Sequence, residues 1–130
     1  MTQDPQRRVL RGDLRLEGGR ITHVGPGAPT EGAEVVPATG QAIVPGFVNL
    51  HTHVAMHPLR GIADDRELAG FLETLFAVDA HRTEQDVEAG ARAGIAEMLL
   101  GGTTSFLDLY YFEDAVARAV EGLGIRGHLG

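Results

Sequence analysis

Val44-Pro45-Gly46-Phe47-Val48-Asn49-Leu50-His51-Thr52-His53 is the stretch on which the reading of this chain turns. Pro45-Gly46 punctuates the chain, because proline fixes φ and glycine admits turn conformations. Phe47 to Leu50 is a short apolar run suited to a strand buried within a sheet. It leads directly into two histidines one residue apart. In a strand, residues i and i+2 face the same side, so the two imidazoles can bind one metal ion together. A bare His-x-His pair is a weak motif, and its weight here comes from the buried strand that ends in it.

Downstream, a loop passes through Met56, Pro58, Arg60-Gly61 and Asp64-Asp65. Leu68, Phe71, Leu72, Leu75 and Phe76 then recur at helical spacing, a stripe that reads as core or pocket wall. Asp64-Asp65 reads as a charge pair at the helix start. Thr83, with Asp86 three residues on, predicts the cap of a second helix carrying Val87, Ala91, Ile95, Met98 and Leu99, and Gly101-Gly102 ends it. Residues 103–109 are β-branched and apolar and predict a second buried strand. Residues 112–123 predict an amphipathic helix broken by Gly124, and residues 125–129 a third strand. The order strand, helices, strand, helix, strand predicts an α/β fold with a parallel sheet and right-handed crossovers.

Upstream, residues 1–44 are rich in Gly and Pro. Alternating runs on either side of Gly18-Gly19 predict a hairpin, and Val35-Val36 and Ala42-Ile43-Val44 predict further short strands. The predicted division is a small β module over residues 1–44 and βα units over residues 45–130.

Composition limits the chemistry. The 130 residues are 43% hydrophobic and 22% charged, which suits a globular chain, and the net charge is -7. That acidity argues against nucleic acid or an anionic membrane as partner. All 11 basic residues are arginine, so no Schiff-base or carboxylated lysine is available within these residues. Without cysteine there is no disulfide, thiolate metal site or cysteine nucleophile. A transition metal must be held here by His and carboxylate. The polar residues 1–11 do not form a signal peptide, no apolar run is long enough to span a bilayer, and a cytoplasmic location is expected.

Residues 44–53 closely resemble the first-strand signature of the amidohydrolase superfamily. The hairpin Glu17-Gly-Gly-Arg-Ile-Thr-His-Val-Gly25 resembles the β-sandwich that flanks the barrel in many members. Met56, Leu59-Arg60-Gly61 and Ala63-Asp64-Asp65 are similar to a loop of the branch holding S-adenosylhomocysteine/methylthioadenosine deaminases and related chlorohydrolases, and Gly102-Thr-Thr-Ser-Phe-Leu-Asp-Leu-Tyr110 to that branch's second strand. The resemblance implies the N-terminal part of a (β/α)8 TIM barrel, about three strands of it, after a small β-sandwich-type module. It also implies one divalent metal ion, zinc or else iron, with His51 and His53 as two of its ligands. The implied reaction is hydrolysis of a non-peptide C–N bond, the deamination of a purine, nucleoside or related heterocycle by a metal-bound hydroxide. Another His and an Asp for the metal, and a Glu and a His for proton transfer, belong to later strands of the family, so no catalytic residue is expected in this segment.

Asp79 departs from the pattern. The adenosine-type deaminases carry a Glu four residues before the helix-opening Thr, and it binds the ribose hydroxyls; here Asp79 precedes Thr83 by four. It reads either as a sugar contact or as a solvated carboxylate at a helix end. Asp108, at the end of the second strand, reads either as the group that orients a metal-bound His or as a loop cap. His23, His57, His81 and His128 read as loop or surface histidines.

A complete barrel needs at least about 200 residues, so the isolated chain is expected to be incomplete and inactive. The expected partners are a small-molecule substrate and either a complementary C-terminal chain or a second copy of this one. The alternatives are a catalytically dead remnant of a split gene and a non-enzymatic binding module. Metal titration separates the module from the enzyme segment, and genomic context separates the remnant from it.

Overall fold

The computed structural model describes residues 2 and 4–130. These form two compact units, one ending at Pro45 and one running from Gly46 to Gly130.

In the first unit, β1 (Asp13–Glu17) and β2 (Arg20–Gly25) form an antiparallel hairpin. Gly18 and Gly19 both take positive φ, 56° and 75°, as a two-residue turn matched to strand twist requires. The register shifts between Arg15 and Leu16. The Asp13 carboxylate accepts the amides of Gly27 and Ala28 at 3.0 and 3.2 Å, and Arg15 donates to the Pro29 carbonyl at 2.7 Å, so the following loop folds against the hairpin. The strands expected at Val35-Val36 and at residues 42–44 are irregular instead. Strand propensity in so short a run yields a strand only where a neighbour completes the ladder. Among the described residues this unit holds two strands, and no β-sandwich forms.

The second unit alternates strand and helix as its sequence predicts. It contains β3 (Phe47–Thr52), a 3₁₀ helix (Val54–Leu59), α1 (Leu68–Asp79), α2 (Glu84–Leu100), β4 (Thr103–Asp108), α3 (Glu113–Leu123) and β5 (Arg126–Leu129). The three strands make a parallel sheet in the order β3-β4-β5. Thr52 lies opposite Asp108, and Asp108 opposite Leu129, so the C-terminal ends of the strands are level.

The core sits between the sheet and the helices, where Val87, Ala91, Ile95, Phe106, Val116 and Ala119 are almost fully enclosed. The loop after β3 joins this core through Val54 and Ala55. It does so because α2 presents Gly90 and Gly94 one turn apart: a Cβ on Gly90 would collide with the Ala55 carbonyl, and one on Gly94 would come within 2.8 Å of Val54. α2 opens with a reciprocal cap. The Asp86 amide donates to the Thr83 hydroxyl at 3.2 Å, and the Thr83 amide donates to the Asp86 carboxylate at 2.8 Å. α3 starts one residue later than predicted because Phe112 takes a left-handed conformation, φ 56°.

Two elements bury less than their sequences predict. β3 reads as a buried strand, yet Phe47, Val48 and Leu50 are 60%, 60% and 72% exposed. In α1 only Leu75 is buried, so its apolar stripe is a wall rather than core. Asp64 and Asp65 lie in a turn ahead of α1, with Glu67 at the cap position. Among the described residues no helix is long and apolar enough to cross a membrane.

Candidate metal centre and adjoining pocket

His51 is the penultimate residue of β3, and His53 is the first residue beyond it. Their ring centroids are 5.5 Å apart with the planes at 78°. Two imidazoles sharing an ion through bonds of about 2 Å have centres roughly 5–6 Å apart, so this pair fits one cation. Nδ1 of His53 lies 2.8 Å from the Leu109 carbonyl. A carbonyl only accepts, so Nδ1 is the donor, and in the neutral ring Nε2 is the nitrogen left to bind an ion. The residues present fit a divalent metal in ligand type and spacing, as two members of a larger set. Among the described residues no group of three or more His, Cys, Asp or Glu is gathered to hold one.

Asp108 anchors this corner. It is 1% exposed and accepts the amides of Val54 at 3.0 Å and Leu109 at 2.9 Å. One carboxylate thereby ties the residue after His53 to the residue whose carbonyl orients His53. Its own oxygen is 3.9 Å from Nδ1, beyond hydrogen-bonding range, so the direct orienting acceptor is the Leu109 carbonyl. Burial raises the Asp108 pKa, and the two amides and His53 offset only part of that. Glu113 lies close by. Both its oxygens are shielded from solvent, with no partner in hydrogen-bonding geometry among the described residues. Burial raises its pKa, and the Asp108 carboxylate adds to the rise.

Two polar clusters flank His53. On one side Arg60 grips Glu97 with both terminal nitrogens, at 2.7 and 3.1 Å, and His57 Nε2 lies 2.9 Å from the same carboxylate. On the other, the Tyr110 hydroxyl donates to Asp79, 2.6 and 2.7 Å from its two oxygens. Arg82 reaches Asp79 at 3.4 Å, the Tyr110 oxygen at 3.3 Å and the Ala55 carbonyl at 2.6 Å. The Tyr110 ring lies 5.8 Å from that of His53. Burial, then the Asp79 carboxylate, raises the Tyr110 pKa, so the phenol stays protonated as a donor. Asp79 ends α1, as its sequence position suggests, but its side chain is only 9% exposed, so it is not a solvated carboxylate.

A pocket of about 410 Å³ opens beside His53, walled by α1 and by residues 109–111. Of the remaining histidines, His23 approaches the Gly25 carbonyl at 3.1 Å within the hairpin, and His81 and His128 are exposed. Sequence reasoning missed Arg82, Tyr110 and Glu113. The signal available for the last two was their position just past the C-terminal end of a parallel strand, where such folds gather functional side chains. Nothing local marks Arg82.

Residues 42–130 match the model of the Amidohydrolase family. The chain is 48% identical over 120 residues to a 5-methylthioadenosine/S-adenosylhomocysteine deaminase of Symbiobacterium thermophilum, a match covering 89% of this chain and 28% of that protein. It is 40% identical over 131 residues to a 5'-deoxyadenosine deaminase of Methanosarcina mazei, covering 99% of this chain and 30% of that one. The chain thus spans less than a third of the length of these curated relatives. Among solved structures, the zinc complex of an atrazine chlorohydrolase from Arthrobacter aurescens superposes with a TM-score of 0.80 at 26% identity, over 99% of this chain and 33% of that one. A zinc-bound adenosine deaminase from Xanthomonas campestris gives 0.61 at 41% identity, over 64% of this chain and 19% of that one.

Proposed function

Since the chain belongs to the amidohydrolase family, we propose that it supplies the first two metal ligands, His51 and His53, to an enzyme that deaminates a purine nucleoside or related heterocycle. The observation that carries this is the placement of the two rings, 5.5 Å apart at the level C-terminal ends of three parallel strands. Active sites of parallel α/β folds lie at that edge. In this reading residues 45–130 are the first βα units of a (β/α)8 barrel, and residues 1–44 are part of a small β module.

The ion is zinc in this reading, and it supplies Lewis acidity and a nucleophile from water at neutral pH. The chain's own residues do the rest of the local work. The Leu109 carbonyl fixes the His53 tautomer, so that Nε2 is the liganding atom. Asp108 holds residues 54 and 109 in register, which keeps His53 and its acceptor together. The remaining ligands and the acid and base that pass a proton to departing ammonia come from outside these 130 residues, from a longer chain or a second one.

The test is zinc content and ammonia release from 5'-methylthioadenosine, measured on the complete assembly and on residues 1–130 alone. The assembly is expected to hold about one zinc and release ammonia, and the 130-residue chain to show no turnover. His51→Ala is expected to lower the zinc content of the assembly, and unchanged zinc would refute the ligand assignment. Ammonia release by residues 1–130 alone would refute the need for further residues.

A further inference from the structure

Helices cover only one face of the parallel sheet. Phe106 and Asp108 of β4 point to that face and are almost fully buried. Their partners on β5 are Gly127 and Leu129. A Cβ on Gly127 would come within 2.9 Å of Val120 on α3, and Leu129 packs against the core. Successive residues of a strand point to opposite faces. Leu107 and its partner His128 therefore stand on the bare face, where both are exposed. His51 stands there too, because the next residue, Thr52, lies opposite Asp108 and beside Gly94 and Met98 of α2.

In a (β/α)8 barrel the helices form the outer ring, so the bare face is the interior. His128 is then exposed to the inside of the barrel and not to bulk solvent. It is the penultimate residue of β5, as His51 is of β3 and Leu107 of β4. All three stand at the strand ends where such folds bind their ligands. The His128 ring makes no hydrogen bond or ion pair among the described residues. Two strand spacings, about 10 Å, separate its backbone from that of His51, and Leu107 stands between them. The ion-binding pair of His51 and His53 is complete without it, with rings 5.5 Å apart. A neutral imidazole both donates and accepts, and a purine offers ring nitrogens that accept and an amino group that donates.

We propose that His128 is a substrate-binding residue: from the inner face of β5 it hydrogen-bonds the heterocycle of the substrate and takes no part in holding the metal. This rests on the deaminase reading above and adds to that site a group on its third strand.

The experiment uses the complete zinc-loaded enzyme as wild type, His128→Leu, His128→Gln and His81→Ala, with zinc content and thermal midpoint as controls. His81 is an exposed histidine between α1 and α2, away from the sheet. His128→Leu is expected to raise KM for 5'-methylthioadenosine by about 10-fold, the effect of one lost hydrogen bond, with kcat nearly unchanged. His128→Gln keeps a group that donates and accepts, and should recover most of the loss. His81→Ala should keep the wild-type KM, and zinc content should be unchanged in every variant. In the wild-type enzyme, diethyl pyrocarbonate should acylate His128, and saturation with the deaminated product, 5'-methylthioinosine, should block that reaction while His81 reacts as before.

A wild-type KM in His128→Leu would overturn the inference, and so would a His128→Gln enzyme as impaired as His128→Leu. Loss of zinc from the His128 variants would make the residue a metal ligand and overturn it as well. Acylation of His128 that ignores the product would place the ring away from the substrate, and this measurement needs no variant to fold. Failure of the deaminase reading looks different: no ammonia from 5'-methylthioadenosine by the wild-type enzyme.

Discussion

Two carboxylates brace the loop that follows His53, Glu97 in the open and Asp79 out of solvent. By distance the exposed cluster looks the stronger, with contacts of 2.7 and 2.9 Å against 3.4 Å for the ion pair at Asp79. Burial reverses the order. Glu97 is 55% exposed and its partner Arg60 68%, whereas Asp79 and Arg82 are 9% and 10% exposed. Exposed pairs are screened and cost side-chain entropy to hold. A buried pair that loses one member strands the other's charge. The comparison teaches that what a contact is worth depends on what its loss would leave behind, and the short distances around Glu97 do not carry that information.

The largest effect is therefore expected at Arg82. Arg82→Met keeps most of the side-chain volume but removes the partner of Asp79, of the Ala55 carbonyl and of the Tyr110 oxygen. The expected loss is about 3 kcal/mol in urea unfolding. A loss below about 1 kcal/mol would break the comparison, because it would put the buried cluster on the scale of a surface pair.

Asp108 comes next. Asp108→Ala leaves the amides of Val54 and Leu109 without their acceptor, inside the protein. The expected cost is about 2 kcal/mol. The same substitution frees both residues that set the His53 position, so zinc occupancy of the complete assembly should fall even in samples that remain folded. Full occupancy in a folded Asp108→Ala protein would limit the role of Asp108 to stability.

How much of this was legible in the sequence follows the range of the interactions. The Gly18-Gly19 turn and the Thr83–Asp86 cap depend on residues within a few positions, and each local pattern admits one geometry. His51 and His53 have ring centroids 5.5 Å apart, but His53 lies one residue beyond β3, so strand period alone does not place it. The Asp79–Tyr110 bond joins residues 31 apart, and Arg82 to Ala55 spans 27. The Asp79–Tyr110 contact needs β4 paired with β3, which brings residues 109–111 beside His53, and the Arg82–Ala55 contact needs α2 packed on the loop after β3. Sequence periodicity gives the order of strands but no register, so it left Asp79 between two readings and did not mark Arg82. Phe112 is a different failure. An aromatic residue has no local preference for the left-handed region, so only its surroundings impose φ 56° and move the start of α3. Val35 and Val36 fail in the opposite sense: their β-branched side chains favour a strand, yet both remain exposed in an irregular segment.

The smallest effect is expected at Glu97, and it has a sign that separates it from the rest. Arg60 first, then His57, hold its carboxyl down from the ordinary 4.5 to about 2. A carboxylate whose folded pKa lies below its unfolded value stabilises the fold above the unfolded value, and that contribution is lost as pH falls through the window between the two. The stability that Glu97 contributes should be complete above pH 4.5 and should drain away as pH falls toward about 2. Glu97→Gln removes that titration. Its unfolding midpoint should sit slightly below wild type at neutral pH and converge on it in acid. The neutral-pH gap should also close as salt rises to about 1 M, where screening is effective within about 3 Å. The gap should stay well under the losses at Arg82 and Asp108 throughout. A Glu97→Gln loss as large as that at Arg82, or one indifferent to salt, would mean that the cluster is enclosed in the complete protein, and the contrast between the two braces would disappear.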